Sequence, residues 1–520
     1  MLSINRVFII LFSLSSFVQY ISAQQQVDIP WHTLANSDWP MIAHDPQVTG
    51  RSSFSGPKTA TINWTVDLPY GVFSGPIIGE DGTLYVGTNS YLGFIGDTTN
   101  YFYAIDQKSG EIKWTYLTGD PNSNESGYLI NNEGIIFFGS QSGWLYAIDT
   151  TGTFRWKKNT GGNIYQSVMN TDLQGNIYIT NATDSLYCFS KEGQLNWSVK
   201  YGNEMFPSSV TISPDGKTIY VVPKDQSIYA LDLNGNIKRV FSCVGNYRQP
   251  LTIDNSGNLY FVSGCTSLGS IISLDSTGQV RWEHIINNGN AGFGTDCSPV
   301  IDYQGNIYFT YTVGNGNSWF CRIESVDYFG NYRWTYEFGQ PEEWIWAPLI
   351  VDKDGTIYCG STWGYYYYAI SQNGKLLWKL PLNGYQVDNS GAIGSDGTLY
   401  IGTHLSSTST GQEKTLIAIR DTVTSVGDEN QNIYKYKLEQ NYPNPFNATT
   451  HIKYTIPYSG NVTIKVFDLL GREIAILLNR YQNKGEYDII FQPENISSGI
   501  YFYQLQSEKF IATRKLMLMK

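Results

Sequence analysis

The sequence predicts an all-β fold, and three observations carry that expectation. Charged residues make up only 15% of the 520 positions, aromatics another 15%, and 51 residues are glycine. Such a mixture suits short strands and tight turns better than helical bundles. The second observation is a hairpin that returns: "DGTLY" at 81–85, "DGTIY" at 354–358 and "DGTLY" again at 396–400. Asp-Gly between two apolar runs is the sequence of a tight hairpin turn. The third is a period. An element of Gly, any residue, Leu or Ile, then an aromatic places its ring at Tyr85, Phe137, Tyr178, Tyr220, Tyr260, Tyr308, Tyr358 and Tyr400, with spacings of 40 to 52 residues and one extra residue in the Tyr220 copy. A period of roughly 40 to 50 residues is that of a four-stranded propeller blade.

Taken in chain order, residues 1–23 read as a secretory signal peptide. Arg6 precedes the apolar run Val7 to Val18, which leads to the small-residue exit "ISA" at Ala23. The run is too short to span a bilayer, no later stretch is apolar enough to do so, and no cysteine follows it to carry a lipid. A lead-in occupies 24–60. Residues 61–422 hold the repeats, each hairpin being followed by a second element such as "YAIDQKSGEIKW" (103–114) or "YAIDTTGTFRW" (146–156). In this element Gly and Trp are four residues apart, with Arg239 the one replacement of the Trp.

The eighth copy, "LIAIRDT" (416–422), has no Trp strand after it, whereas an orphan Trp strand, "TINWTVDLP" (61–69), precedes the first unit. An open ring would leave a bare sheet edge. The expected architecture is therefore an eight-bladed β-propeller closed by its N-terminal strand. The recurring Trp and Tyr are expected to pack neighbouring sheets, and the Asp-Gly turns to be turns rather than calcium loops.

These residues resemble a known family. "AIDQKSGEIKW" is similar to the tryptophan-docking repeat of the PQQ-like β-propellers, and "WPMIAHDPQVTGRSS" (39–53) is similar to the lead-in of bacterial members. The resemblance covers roughly 31–422 and implies blades of four strands, A to D, running outward from a central channel. The PQQ-dependent dehydrogenases of this fold carry two adjacent cysteines over the cofactor and a calcium site. The six cysteines here (188, 243, 265, 297, 321, 359) include no adjacent pair, so PQQ is not expected and no cofactor is predicted. The outer-membrane assembly members are lipoproteins, and the anchor cysteine is missing.

After a polar linker at 423–435 a new alternating pattern begins. Val462, Ile464 and Val466 alternate with Asn461, Thr463 and Lys465, as one face of a sandwich requires. "LEQNYPNPFN" (438–447), "VFDLLGRE" (466–473), "SSGIYFYQL" (497–505) and "RKLMLMK" (514–520) resemble the type A C-terminal sorting domain of the type IX secretion system. The resemblance implies that 436–520 is a small Ig-like β-sandwich read by the type IX machinery. It implies a protein of a Gram-negative bacterium, carried through the periplasm and released or held at the outer cell surface.

The net charge of −11 offers no phosphate-neutralising surface, so nucleic acid is not an expected partner. Five histidines lack zinc spacing, and no Walker loop, nucleophile elbow or zincin helix occurs. "GNAGFGTD" (289–296) reads as a loop. In a four-stranded blade the B-to-C and D-to-A connections leave one face, and the long insertions fall mostly there: 89–100, 311–320, 339–348 and 403–414. Loops with aromatics on a rigid ring are where binding is built. The candidates are Tyr91, Trp319, Trp344, Trp346 and Trp363, with Arg248, Asp296 and, more weakly, Asp388 as charged groups near the channel mouth. Cys243 and Cys265 are expected on one face of one blade, as a disulfide pair. The expected role is non-catalytic binding of a glycan or surface protein; a carbohydrate-active or quinoprotein enzyme is the alternative.

Overall fold

The computed structural model describes residues 25–69, 71–88, 100–120, 126–164, 167–183, 185–201, 209–223, 227–241, 250–263, 269–286, 291–294, 297–315, 318–339, 344–405, 415–422, 436–456, 460–482, 485–493, 496–507 and 510–519. Among them there is no helix. The chain divides into two compact units, Met1–Thr422 and Val423–Lys520.

In the first unit every repeat folds into an antiparallel sheet whose strands follow chain order. The first sheet is Ile77–Ile78, Leu84–Gly87, Tyr101–Ile105 and Ile112–Leu117, and six more of the same order follow, ending at Leu376–Pro381. The eighth, built on Ala392–Ile393, Leu399–Gly402 and Leu416–Arg420, takes Thr61–Val66 as its outer strand. Thr61 pairs with Arg420 and Val66 with Leu416, which covers the edge that an open ring would leave bare.

Sheets join through the outer-strand tryptophans. In each sheet but the fourth the indole N–H donates to a backbone carbonyl across the junction: Trp64 to Gln107 (3.1 Å), Trp114 to Thr150 (3.0 Å), Trp156 to Lys191 (3.0 Å), Trp197 to Leu233 (2.9 Å), Trp282 to Tyr328 (3.0 Å), Trp334 to Gln372 (2.8 Å) and Trp378 to Pro57 of the lead-in (2.9 Å). At every one of these junctions but that of Trp378 the ring then lies on the glycine of the neighbouring turn. Gly152, at φ 82°, shows why glycine is needed: a Cβ would stand 3.0 Å from Trp114, on a backbone that L side chains rarely adopt. The hairpin aromatics complete the junction. Tyr178 packs 5.9 Å from Trp197, and its hydroxyl donates to Asp172 at 2.7 Å. Tyr308 and Trp334 repeat the packing at 5.8 Å, with Tyr308 donating to Asp302 at 2.7 Å. The repetition answers an architectural need.

The lead-in does what no repeat signals. The innermost strands would each present an unpaired edge to the axis, and residues 38–52 bond to them. Ile78 donates to Trp39, Ile130 to Pro40, Ile212 to Pro46, Ile253 to Gln47, Ile301 to Thr49 and Val351 to Gly50. Asn170 adds a side-chain bond to Pro46 at 2.9 Å, and Ser395 one to Asp38 at 2.7 Å, so all eight sheets take part. Trp39 and Met41 are wholly buried, and Val48 is forced to φ 57°, a costly conformation for a β-branched residue. The lead-in thus lies against the ends of the innermost strands that run into the A-to-B turns.

Two segments depart from the sequence reading. Ala291–Gly294, expected in a loop, is a strand pairing with Ile307–Asn315. The insertion at 311–320 is mostly strand, because Ile307–Asn315 and Ser318–Val326 form one long hairpin in the sixth sheet. Its protruding edge supplies the bonds that recruit Ala291–Gly294.

The second unit has two antiparallel sheets, one of three strands (Lys437–Leu438, Thr450–Ile456, Gly485–Phe491) and one of four (Glu473–Gln482, Gly460–Phe467, Gly499–Ser507, Phe510–Leu518). Val462, Ile464 and Val466 are buried in a common core with Ile452, Tyr454, Tyr503 and Leu505. Tyr503 ties the lead strand down: it accepts from the Asn441 N–H at 2.8 Å and donates to the Glu439 carbonyl at 2.5 Å.

Candidate functional site

Opposite the lead-in, the connections around the seventh and eighth sheets bring three tryptophans together. Trp344 and Trp346 lie in the connection entering the seventh sheet, and Trp363 lies between its second and third strands. Trp346 meets Trp344 edge-on at 5.7 Å and Trp363 edge-on at 6.5 Å. Trp346 is 37% and Trp363 54% exposed. Large apolar rings left in water on a rigid scaffold mark a surface meant to be covered.

The loop beneath them is pinned. Ile345 and Ala347 are buried, and the Cys297 thiol donates to the Ala347 carbonyl at 3.1 Å. The Thr362 N–H donates to the Trp344 carbonyl at 2.8 Å, linking the two aromatic segments. Among the described residues no acceptor faces the buried Trp344 indole N–H.

A polar cluster adjoins the aromatic one. The Thr362 hydroxyl donates to Asp388 at 2.5 Å, and His404 Nε2 lies 3.0 Å from the second Asp388 oxygen. His404 is buried and stacked on Phe73, 3.9 Å between centroids. A short ladder, Tyr385 with Leu405 and Gln386 with His404, holds the histidine strand against the connection that carries Asp388. The arrangement offers a stacking platform with an oriented carboxylate–imidazole pair beside it.

Of the residues singled out from sequence, Trp344, Trp346, Trp363 and Asp388 converge here. Tyr91, Arg248, Asp296, Cys243 and Cys265 lie outside the described residues, as does the Trp319 side chain, although its strand is described. Thr362 and His404 were not singled out. Both sit where the chain leaves the repeat pattern, and that departure was the available signal. Among the described residues, Cys188, Cys297, Cys321 and Cys359 are buried.

Comparison with known proteins agrees with this architecture. A family model of the secretion system C-terminal sorting domain matches residues 440–519. One of the outer membrane protein assembly factor BamB matches 48–170, and one of the lambda-carrageenase beta-propeller domain matches 135–255. Among solved structures, BamB from Moraxella catarrhalis is similar over 69% of this chain and 99% of its own, at 14% identity and a TM-score of 0.51. The Dos1 propeller is similar over 71% of this chain and 99% of its own, at 9% identity and the same TM-score of 0.51. No curated protein matches the chain in sequence. The first unit is thus a β-propeller with stretches similar to PQQ-like propellers of the BamB kind, and the secretion system C-terminal sorting domain that follows it makes the chain a secreted or cell-surface protein of a Gram-negative bacterium.

Proposed function

We propose that the propeller is a non-catalytic carbohydrate-binding protein that holds a polysaccharide on the face of its B-to-C and D-to-A connections. The observation that carries this reading is the set of three edge-on tryptophans, two of them solvent-exposed, beside Asp388 and His404. An indole face is electron-rich and apolar, so it takes the C–H face of a sugar ring, while the carboxylate and imidazole take hydroxyls. The likeness of residues 135–255 to a carrageenase propeller supports a polysaccharide over a protein ligand. A glycan array followed by affinity electrophoresis tests it. Wild-type protein is expected to be retarded by at least one polysaccharide and W346A/W363A to migrate freely; equal retardation of both, or no retained glycan, refutes the assignment.

The Thr362–Asp388–His404 chain supports a second reading, an extracellular carbohydrate-active enzyme. Release of reducing ends from the retained polysaccharide, abolished in D388N, would favour it.

A further inference from the structure

Because the ring repeats one unit eight times, each position can be compared with its counterparts in the other sheets. One position breaks the pattern. The residue preceding the partner of the docking Trp or Arg in register is Tyr103, Tyr146, Tyr187, Tyr229 or Tyr368 in five sheets, Ile272 and Ile417 in two, and Glu324 in the sixth. The fold therefore has no need of a carboxylate there, and burying one carries a desolvation cost that a ring does not. Beside this glutamate a cavity of about 500 Å³ opens between the fifth and sixth sheets, lined by His284, Tyr311, Arg322, Glu324, Tyr332 and Glu337.

The buried Glu324 is held rigidly. One oxygen lies 2.6 Å from His284 Nε2, and the other accepts from Tyr311 at 2.8 Å and Thr335 at 3.1 Å. At the rim Arg322 gives Nε and Nη2 to a single oxygen of Glu337, at 2.8 and 2.5 Å. Tyr332, 59% exposed, lies nearly parallel to the His284 ring at 6.4 Å. Two carboxylates against one guanidinium disfavour an anion, and among the described residues no group of three His, Cys, Asp or Glu is placed to hold a metal.

We propose that this pocket is a second ligand site, separate from the tryptophan rim, that takes one ring of an uncharged saccharide. Tyr332 supplies the stacking face, and Glu337, Arg322 and His284 supply alternating acceptors and donors for neighbouring hydroxyls. The substitution Glu324→Tyr restores the residue found in five other sheets, so it should fill the pocket without unfolding the ring. Calorimetric titration of the full secreted chain with uncharged hexasaccharides of glucose, galactose, mannose and xylose tests the proposal. At least one should bind, E324Y should lose that binding with its melting temperature kept, and E337Q, which removes the charged acceptor, should weaken it about tenfold, as losing one charged hydrogen bond does. W346A/W363A should leave it unchanged, which separates this site from the rim. The proposal is overturned if no hexasaccharide binds, if E324Y or E337Q binds as wild type does, or if the double tryptophan variant alone abolishes binding.

Discussion

Arg239 donates to the carbonyl of Thr277 at 3.0 Å, replacing at one junction the bond that an indole makes at the other seven. The packing half of the task falls to Phe241, against which a Cβ on Gly278 would stand only 2.1 Å away. Two residues thus divide what one tryptophan does elsewhere. The consequence is unequal sensitivity: Trp156→Ala should cost about 3–5 kcal/mol, whereas Arg239→Ala, which loses an exposed hydrogen bond and leaves the packing, should cost about 1 kcal/mol. Urea denaturation of the two variants compares them directly, and equal losses would contradict the division.

Turn glycines should differ in the same way. Gly119 has φ 66° with nothing within 4 Å of an added Cβ, so Gly119→Ala should cost only the left-handed strain, about 1–2 kcal/mol. Gly152 adds a contact of 3.0 Å with Trp114 to the same strain, and Gly152→Ala should cost about 3 kcal/mol or more. Thermal melts of the pair are sufficient.

Acid should weaken the ring through its turn aspartates. The Asn236 side chain and the N–H groups of Asn236 and Asn234 hold Asp232 below the usual carboxylate range, and the Thr277 hydroxyl with the Gln279 and Thr277 N–H groups does the same for Asp275. A carboxyl whose folded pKa is lowered contributes stability that is present above its unfolded value of about 3.9 and lost as pH falls through the folded value. Melting temperature should therefore hold above about pH 5 and decline below pH 4, less steeply in D232N/D275N. An unchanged slope in that variant would exclude these turns as the cause.

Export beyond the periplasm should depend on the second unit. A chain truncated after Lys435 should yield a folded propeller retained in the periplasm, detected by fractionation and by protease resistance. Normal appearance of that truncation outside the cell would contradict the sorting role.

Much of the ring was legible because its information is local: Gly and Trp four residues apart, Asp-Gly turns and a constant period each specify a hairpin within one unit. Closure by Thr61–Val66 could be read too, from a Trp strand without a unit and a unit without a Trp strand. What escaped depends on distant partners with no period. The bonds of residues 38–52 go to eight different sheets, so no spacing in the sequence records them. Ala291–Gly294 is a strand only because the hairpin Ile307–Val326 offers it an edge, and by itself "AGFG" reads as a loop. Trp344, Trp346 and Trp363 were singled out one by one from loop placement, whereas His404 joins Asp388 through a two-residue ladder too short to leave a pattern.

The lead-in also determines what a partial chain can be. The hydrogen-bond partners of residues 38–52 in the sheets extend from Ile78 to Ser395, and the outer strand that follows the lead-in waits for Leu416–Arg420. Residues synthesised before every repeat are therefore among the last to find their places, a span of sequence that slows closure. Until Arg420 has been delivered the product is an unfinished crescent with adhesive strand edges, the kind of species that aggregates or recruits chaperones. Shortening the ring by one repeat would yield no smaller wheel, because the keystone at its hub is cut for eight.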